Sequence, residues 1–332
     1  MRMTYDVLVI GGTLEGCIAA CEAARSGKKV LIAETSGSFG GMATNGLHSY
    51  FPAQDVVAQT TAAQSWKDDI FSRLGMVSSP EAAVYDEQQL KIALPRLLKD
   101  YGVTFLTHVF PQEALNPTGN RLGGYIVKGK TGAMEVECAA VIDATESSHT
   151  LLAGNISTME ARPFEISTSI KMNSIDWSAI KTLSGFSGVV PCQGGETSHF
   201  TWKHEYPFAG GISYSGDCQV LYTEHLQQVI FMDAVKSRSA SCSPHDVSSA
   251  QARLRKGSYD FLESLKKKHG LFSKAHIIHV AQKSNMYGMQ EVLTLPVNPY
   301  QNLSVCNSGF SRYTNTEALN RGVQAAVAAI TP

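Results

Sequence analysis

The first 46 residues constrain this chain most, because apolar runs and glycines alternate there in a defined order. Residues 7–10 have the length and branching of a buried parallel strand. Gly11 allows a sharp turn into a helix, and the small residues of 17–25 allow that helix to pack closely. Gly16 has no side chain that would hold the helix away from the strand. The pattern predicts a strand–turn–helix unit of an α/β fold.

A carboxylate completes this unit. Glu34 follows a second apolar run, residues 30–33, and lies 23 positions after Gly11. An acid about 20 residues after such a turn accepts hydrogen bonds from the ribose of an adenine nucleotide. The free N–H groups and the positive dipole end of the helix suit a pyrophosphate. The sequence predicts a dinucleotide site and disfavours a 2′-phosphorylated nucleotide; the alternative is an ordinary parallel α/β unit with a glycine turn.

Two residues depart from the usual G-x-G-x-x-G pattern of such sites. Thr13 stands in place of the middle glycine, and Glu15 places a negative charge in the first turn of the helix. Because the pyrophosphate is itself negative, we expect both residues to make its contact with the protein less standard.

Composition narrows the class of protein. A length of 332 residues predicts about two domains, and a formal net charge of -1 argues against a nucleic-acid surface. The basic residues 266–268 suit the C-terminus of a helix. No apolar run reaches the roughly 18 to 20 residues that span a bilayer, and no secretory signal pattern is present. Seven cysteines without a C-x-x-C pair argue against a disulfide scaffold and a zinc site, so we expect a cytoplasmic protein without a metal.

The stretch from residue 1 to residue 46 resembles the FAD-dependent oxidoreductases of the glutathione-reductase and fumarate-reductase type. In that family an acid like Glu34 is followed by a Gly-Gly pair and a loop that passes beside the flavin, which residues 40–46 (GGMATNG) match. The resemblance implies that FAD is the cofactor. It implies cofactor contacts at Gly11, Gly12, Thr13, Leu14, Glu15, Gly16, Glu34, Thr35, Gly40, Gly41, Met42, Ala43, Thr44, Val109, Ala144, Thr145, Glu146, Ser308, Gly309 and Asn315.

The residues that follow predict how the nucleotide domain continues. A helix is predicted over residues 85–101. Short strands are predicted over residues 103–109, 122–127 and 134–136. They resemble the three-stranded antiparallel crossover of the family, in which the residue matching Val109 contacts the adenine through its backbone. Residues 139–145 predict a buried strand that resembles the family's Ala-Thr-Gly strand, with Glu146 in place of the glycine.

The middle of the chain predicts a second domain. Strand-like runs occupy residues 164–172, 199–202 and 219–223, and a helix is predicted over residues 248–268. We interpret residues 159–279 as a smaller α+β substrate or cap domain. It is inserted into a Rossmann-like FAD-binding domain formed by residues 1–158 and 280–332. The predicted fold class is α/β, with a parallel sheet and the antiparallel crossover.

The C-terminal part of the chain predicts a return to the nucleotide domain. Residues 303–309 resemble the family's final strand and turn, and residues 315–330 predict an Ala-rich helix whose N-terminus is aimed at the flavin. Residues 307–309 stand where the family usually carries an Asp that binds the ribityl chain. Gln290 replaces the Arg of a Gly-x-Arg-Glu element, so the substrate need not be a carboxylate.

Three residues are candidates for acid–base catalysis. His48 lies on the loop after the Gly-Gly pair, and His204 and Tyr206 lie in the middle domain. An imidazole titrates nearest to neutral pH and is therefore the preferred proton-transfer group. The alternative for His48 is a loop histidine that the backbone satisfies.

Other polar and aromatic residues of the middle domain have two readings. Trp202 and Tyr222 are candidates for lining a pocket, and the alternative is a position in the core. His276 and His279 lie three positions apart on a predicted strand, which points them to opposite faces and disfavours a metal pair.

The resemblance implies that the chain is an FAD-dependent oxidoreductase. We expect a hydride to move from a C–H bond alpha to oxygen or nitrogen in a small organic substrate to flavin N5, with an unidentified electron acceptor. One alternative is an FAD-binding subunit of a multi-subunit oxidoreductase with little activity alone; another is an NAD-using protein of the same fold. The expected partners are the substrate and the acceptor but not nucleic acid, and both a homo-oligomer and a hetero-complex stay open.

Overall fold

A computed structural model gives the fold of the chain. The residues that the structure describes are 2–51, 60–76, 83–146, 158–159, 163–175, 186–192, 197–203, 212–214, 217–223, 227–241, 243–287, 293–294, 300–306 and 315–331. Their helices and strands are, in chain order, β1 (Arg2–Ile10), α1 (Leu14–Arg25), β2 (Val30–Ala33), β3 (Tyr50–Phe51), α2 (Thr61–Arg73), β4 (Ala83–Val84), α3 (Glu87–Asp100), β5 (Thr104–Leu106), β6 (Val109–Leu115), β7 (Gly124–Gly129), β8 (Gly132–Asp143), β9 (Thr158–Met159), β10 (Phe164–Asn173), β11 (Phe186–Cys192), β12 (Thr197–Lys203), β13 (Ile212–Tyr214), β14 (Asp217–Thr223), β15 (Gln228–Ser239), α4 (Pro244–Lys268), β16 (His276–Val280), β17 (Asn285–Tyr287), β18 (Leu293–Thr294), β19 (Leu303–Val305) and α5 (Asn315–Ile330).

The first sheet has a parallel core. Its strands lie in the order β5-β2-β1-β8, and β19 pairs with the second half of β8. Ile10 pairs in parallel register with Ala33 on one side and Asp143 on the other. The carboxyl ends of β1, β2 and β8 therefore meet at one edge, which is where open α/β sheets bind their ligands. The predicted α/β, Rossmann-like fold class is confirmed.

The antiparallel crossover is present, with different strand bounds from those predicted. It consists of β6, β7 and the first half of β8, which pair antiparallel. The two strands predicted over residues 134–136 and 139–145 are one continuous strand that serves both the crossover and the parallel sheet. The strand predicted over residues 103–109 is divided, because His108 has a φ of 56° and Val109 begins β6.

Helices cover one face of the first sheet. Alternate strand residues such as Val7 and Val9 pack against α1, α2, α3 and α5, whereas Leu8 and Ile10 pack with Tyr125 of the crossover on the other face. This alternation is the period of two that strand geometry dictates. Helix α5 packs directly on α1.

The second sheet is antiparallel, in the order β11-β12-β14-β15-β10-β16, with β17 paired to β10 and β13 to β15. Helix α4 covers one of its faces. Trp202 and Tyr222 lie in this core, and Trp202 packs on Phe231 and Phe272, so the structure favours the core reading for both. The second sheet takes in residues up to Tyr287. The boundaries proposed for the two domains stay a prediction.

The uncovered face of the second sheet meets the first part of the chain. Leu221, Ile230 and Ala281 pack with Leu47 and Val84. Nearby, the Lys171 ammonium on β10 lies 3.0 Å from the Glu87 carboxylate at the start of α3. Apolar packing and a largely buried ion pair therefore join the two sheets. Among the described residues, no helix is both long and apolar enough to cross a bilayer.

Candidate functional site

The turn between β1 and α1 is packed so closely that it requires glycine. Gly11 has a φ of 104°, and a Cβ atom added there would lie 2.5 Å from the carbonyl carbon of Ala144. A Cβ atom on Gly16 would lie 2.0 Å from the Gly11 oxygen. The first turn of α1 therefore rests directly on the ends of β1 and β8, as the glycine spacing predicted.

Thr13, the departure from the usual motif, caps α1. Its hydroxyl accepts a hydrogen bond from the Gly16 N–H at 3.1 Å and donates one to the Ala144 carbonyl at 3.0 Å. Threonine is a favoured N-cap because its oxygen satisfies one of the free helix N–H groups. The helix accordingly begins at Leu14, three residues before the predicted start, and the Leu14 side chain is buried in the core.

Glu15, the second departure, directs its charge toward α5. Its carboxylate is buried and lies 3.7 Å from the guanidinium of Arg321. Burial raises the pKa of Glu15, and the charge of Arg321 opposes that shift. The negative charge in the first turn of α1 thus has a cationic neighbour that the sequence pattern did not reveal.

Glu34 lies against the glycine turn, as its spacing predicted. Oε2 accepts a hydrogen bond from the Gly12 N–H at 2.6 Å, and Oε1 accepts from the Ser36 N–H at 2.7 Å and the Thr35 hydroxyl at 3.2 Å. Burial raises the pKa of Glu34, but the charge of Lys283 and these donors outweigh burial and hold the pKa below its ordinary value. The carboxylate is therefore ionised, and its contact with a ribose stays a prediction.

The Gly-Gly loop lies beside this turn. The Gly40 N–H donates to the Gly12 carbonyl at 2.7 Å, and Gly40 and Gly41 have φ values of 107° and 55°. Met42 and Ala43 follow in a short 3-10 turn, buried with Thr44, whose hydroxyl donates to the Phe39 carbonyl at 2.8 Å. The structure therefore brings Gly12 and Gly40, which are 28 positions apart in the sequence, into contact.

The end of β8 forms the third side of the site. Asp143 accepts hydrogen bonds from the Thr145 N–H at 2.8 Å and the Thr145 hydroxyl at 2.6 Å, which fixes the chain as it leaves the strand. Glu146 follows, and its carboxylate lies 3.2 Å from the ammonium of Lys283. We call residues 11–16, 34–35, 40–44 and 143–146 the nucleotide edge.

Two further predicted contacts have clear positions. The Val109 N–H donates to the Glu34 carbonyl at 3.0 Å, so the Val109 backbone lies beside the nucleotide edge. The Asn315 amide donates to the carbonyls of His48 and Tyr50 at 2.9 Å and to the Tyr85 hydroxyl at 2.7 Å. This amide therefore fastens the loop to the start of α5, and any contact of Asn315 with the cofactor stays a prediction. Ser308 and Gly309 lie outside the described residues.

Of the predicted acid–base candidates, His48 is described, whereas His204 and Tyr206 lie outside the described residues. His48 Nε2 lies 3.3 Å from Oδ2 of Asp233, and the two side chains are 11% and 15% exposed. The alternative for His48 was a loop histidine whose hydrogen-bonding groups are satisfied by the backbone alone. That alternative does not account for the carboxylate neighbour.

Asp233 is held by three side chains of the second sheet. Its carboxylate accepts from the Ser167 hydroxyl at 2.8 Å and the Asn285 amide at 3.3 Å, and its N–H donates to the Ser169 hydroxyl at 3.1 Å. We call His48, Asp233, Ser167, Ser169 and Asn285 the histidine junction. It lies where the loop after the Gly-Gly pair meets the second sheet.

A β-bulge orients Asp233. Thr168 pairs with Val235 and Ile170 pairs with Phe231, so three residues of β15 lie opposite one residue of β10. Asp233 has a φ of 49°, a conformation that non-glycine residues adopt rarely and that clusters at functional sites. Sequence reasoning missed Asp233 because nothing in the strand pattern marks this bulge.

Lys283 is a second residue that sequence reasoning missed. Burial lowers its pKa, but the carboxylates of Glu146, Glu34 and Glu15 outweigh burial and raise the pKa above its ordinary value. A lone lysine after a strand carries no pattern that would have identified it.

The residues of the nucleotide edge have the geometry and the charges that FAD binding requires. The N-terminus of the 12-residue helix α1 faces this edge and suits a pyrophosphate. A Cβ atom on Gly41 would lie 3.0 Å from Glu146 Oε1 and 3.1 Å from Thr13 Cγ2, so only glycine leaves that space open. Glu34 supplies an ionised acceptor and Lys283 a cation. Among the described residues, no group of three His, Cys, Asp or Glu side chains could hold a metal ion.

Comparisons with known proteins agree with this geometry. The family model for FAD-dependent oxidoreductases matches residues 6–279. No curated protein sequence matches the chain.

Solved structures share the fold. One is a geranylgeranyl bacteriochlorophyll reductase-like protein from Thermoplasma acidophilum, with a TM-score of 0.62, 15% identity, and coverage of 98% of this chain and 78% of that one. An L-amino acid deaminase from Proteus vulgaris has a TM-score of 0.61 at 10% identity, with 99% and 94% covered. A glycine oxidase from Geobacillus kaustophilus has a TM-score of 0.56 at 10% identity, with 98% and 93% covered. The chain belongs to the FAD-dependent oxidoreductase family, and FAD is its cofactor.

Proposed function

We propose that this enzyme oxidises a small organic substrate at a C–H bond next to a nitrogen or oxygen atom, and that His48 accepts the proton that leaves the substrate heteroatom. The observation that carries the proposal is the 3.3 Å approach of His48 Nε2 to the Asp233 carboxylate. A histidine beside a carboxylate is the common arrangement for proton transfer near neutral pH.

Asp233 would orient the imidazole and stabilise its protonated form. The carboxylate is itself held by Ser167 and Asn285, so it cannot turn away when His48 gains a charge. Fixing the base through a second group is the logic of catalytic triads on many folds.

The backbone of His48 is fixed from the opposite side. The His48 carbonyl accepts hydrogen bonds from the Asn315 amide at 2.9 Å and the Tyr85 hydroxyl at 3.2 Å. Burial raises the pKa of Tyr85 well above its ordinary value, so Tyr85 remains a neutral donor. The loop therefore presents the imidazole from a rigid support, which positions a proton acceptor better than a mobile loop does.

The nucleotide edge would hold FAD through the N–H groups at the start of α1 and the Glu34 carboxylate. Bound FAD supplies the hydride acceptor. The protein contributes the position of the substrate, the base and exclusion of water, which the low exposure of His48 supports.

Amino compounds are the first substrates to test. Two proteins of the same fold are named L-amino acid deaminase and glycine oxidase, and both names refer to amino compounds. At 10% identity this similarity decides only which substrate class is tested first, and it does not identify the substrate.

The test is anaerobic reduction of the flavin-loaded enzyme by amino acids, primary amines and alcohols. The loss of flavin absorbance measures the rate of reduction. We expect H48Q and D233N to slow reduction by about 10²- to 10⁴-fold while the flavin content stays at the wild-type level. H245Q is the matched control, because His245 also lies beside an aspartate but is almost fully exposed.

Two outcomes would overturn the proposal. Reduction of H48Q at the wild-type rate would remove His48 from the chemistry. Absence of reduction by every candidate, together with a native mass well above that of one chain and a second polypeptide, would favour an FAD-binding subunit of a larger complex.

A further inference from the structure

We propose that Lys283 binds the pyrophosphate of FAD and that Glu146 is the counterion that orients it. This inference concerns how the cofactor is held and goes beyond the oxidation proposed above. It starts from a pair of residues that follow strands of different sheets and meet at the nucleotide edge.

The backbone places Lys283 at this edge. The N–H groups of Gln282 and Lys283 donate to the Asn45 carbonyl at 2.9 and 3.2 Å. The Asn45 side chain in turn accepts from the Ser38 hydroxyl at 3.1 Å. The segment that follows β16 is therefore fastened to the loop after the Gly-Gly pair, and Lys283 keeps this position whatever its side chain contacts.

The side chain of Lys283 extends to the rim of the glycine turns. Its Nζ lies 3.2 Å from Glu146 Oε1, and the same oxygen lies 3.0 Å from the position of a Cβ atom on Gly41. Gly40 is hydrogen-bonded to Gly12, the residue beside which a pyrophosphate is expected. The ammonium group and the expected phosphate position thus share one side of the site.

The charge of the nucleotide edge requires such a cation. Three carboxylates, Glu15, Glu34 and Glu146, surround the start of α1. The Arg321 guanidinium lies 3.7 Å from Glu15 and also 3.7 Å from Glu317, so its charge is shared between them. The helix terminus carries only about half a positive charge, which cannot balance three carboxylates and a pyrophosphate. Lys283 interacts with all three carboxylates, so it is placed to supply the missing charge.

The Glu146 carboxylate explains why the cation is held where it is. The family pattern has a glycine at this position, so the carboxylate is a departure of this chain from that pattern. An ammonium that is already oriented by one anion loses less conformational freedom when it binds a second. The competing interpretation is a purely structural ion pair between the two sheets, and it predicts different binding data.

The experiment titrates the flavin-free full chain with FAD, ADP and adenosine. We expect K283A to lower the affinity for FAD and for ADP by about 10- to 100-fold, which is the effect of losing one charge-assisted hydrogen bond. The affinity for adenosine should change less than about two-fold. K283R should retain most of the ADP affinity because it keeps the charge. K256A is the matched control, since Lys256 also pairs with a carboxylate but lies exposed on α4.

A second variant separates the two interpretations even where K283A folds poorly. If Lys283 binds phosphate, E146Q removes both the contact that orients the ammonium and a negative charge that opposes the pyrophosphate, so we expect FAD and ADP affinity to change less than about two-fold. If the pair only joins the two sheets, E146Q lowers the unfolding temperature and the affinity together. Unchanged ADP affinity in K283A, or an equal loss for ADP and adenosine, would also overturn the proposal. None of these readouts depends on substrate oxidation, so failure of the proposed reaction leaves them intact.

Discussion

The nucleotide edge and the histidine junction lie next to each other but are assembled differently. The edge uses backbone groups and glycines from a few segments, and the central one, residues 11–16, is continuous in the sequence. The junction uses side chains from residues 48, 167, 169, 233 and 285, which lie on one loop and three different strands. Backbone geometry that depends on glycine leaves a pattern in the sequence. Side chains that converge from distant strands do not.

The difference also concerns tolerance to change. At Gly11 and Gly16 of the edge, an added methyl group would meet backbone atoms that cannot move aside. At the junction, a substituted side chain leaves the strands in place and removes a chemical group. We therefore expect edge variants to lose stability and junction variants to lose turnover.

The largest effect should follow from G16A. The new Cβ atom would lie 2.0 Å from the Gly11 oxygen, so α1 must move away from β1. We expect a loss of unfolding free energy above about 3 kcal/mol, beyond the usual range for overpacking, together with loss of FAD. Urea unfolding and flavin absorbance measure both.

G270A is the control for G16A. Gly270 has no atom within 4 Å of an added Cβ and no positive φ, so this variant should unfold like the wild type. A G16A protein as stable as G270A would show that the close packing of the turn is not required.

The next effect tests how the two sheets are joined. K171M leaves the Glu87 carboxylate, which is 3% exposed, without its cation. We expect a loss of about 2–3 kcal/mol, because a buried charge without its partner is costly. The double variant K171M/E87Q should recover part of that loss. Strictly additive effects in the double-mutant cycle would mean that the pair contributes no coupling.

A smaller effect tests the departure at Thr13. T13A removes the N-cap of α1 and the hydrogen bond to Ala144, so we expect a loss of about 1 kcal/mol in urea unfolding. T60A is the matched control, because Thr60 caps α2 through the Ala63 N–H at 3.1 Å. Both variants should lose similar stability, but only T13A should weaken FAD binding. Equal FAD affinity in T13A and T60A would show that the Thr13 cap does not contribute to cofactor binding.

The smallest effect is a pH dependence at the contact between the sheets. Burial lowers the pKa of His279, and Lys91 and Lys171 lower it further against the opposing charge of Glu87. The unfolded chain therefore binds the proton first as pH falls below about 6.5, and stability decreases.

H279N should reduce this loss of stability between about pH 7.5 and 5.5 by well under about 1 kcal/mol, because the site is partly solvated. Unfolding free energies at the two pH values measure it. H276N is the control, since His276 is exposed on the same strand. An identical pH dependence in H279N and the wild type would contradict the assignment.

Local patterns predicted the elements well where the physical signal is local. The helix over residues 315–330 has the predicted bounds, and the basic residues 266–268 close α4 as expected. Helix α4 begins earlier than predicted because Ser243 caps it and Pro244 occupies its first position, a start signal that lies before its apolar stripe. The prediction of two strands over 134–145 failed because one strand changes partners from β7 to β19 along its length.

The candidate site divides in the same way. The positions of Glu34 and the glycines followed from spacing, since a strand, a turn and a helix leave a periodic trace. Asp233 depends on a bulge, and the position of Lys283 depends on a hydrogen bond from its N–H to the carbonyl of Asn45, 238 residues earlier in the sequence. Neither contact has a local signature, and the same is true of the Arg321 guanidinium beside Glu15.

The sequence by itself determined the parallel nucleotide-binding unit, its cofactor class and the glycines that this unit requires, because these depend on interactions within a few tens of residues. Only the tertiary structure decided which charges meet at the carboxyl edge of the sheet and which carboxylate faces His48. The physical reason is that a charge or a proton acceptor acts through distances of a few ångströms. Such distances between remote segments are set by the packing of the two sheets on each other.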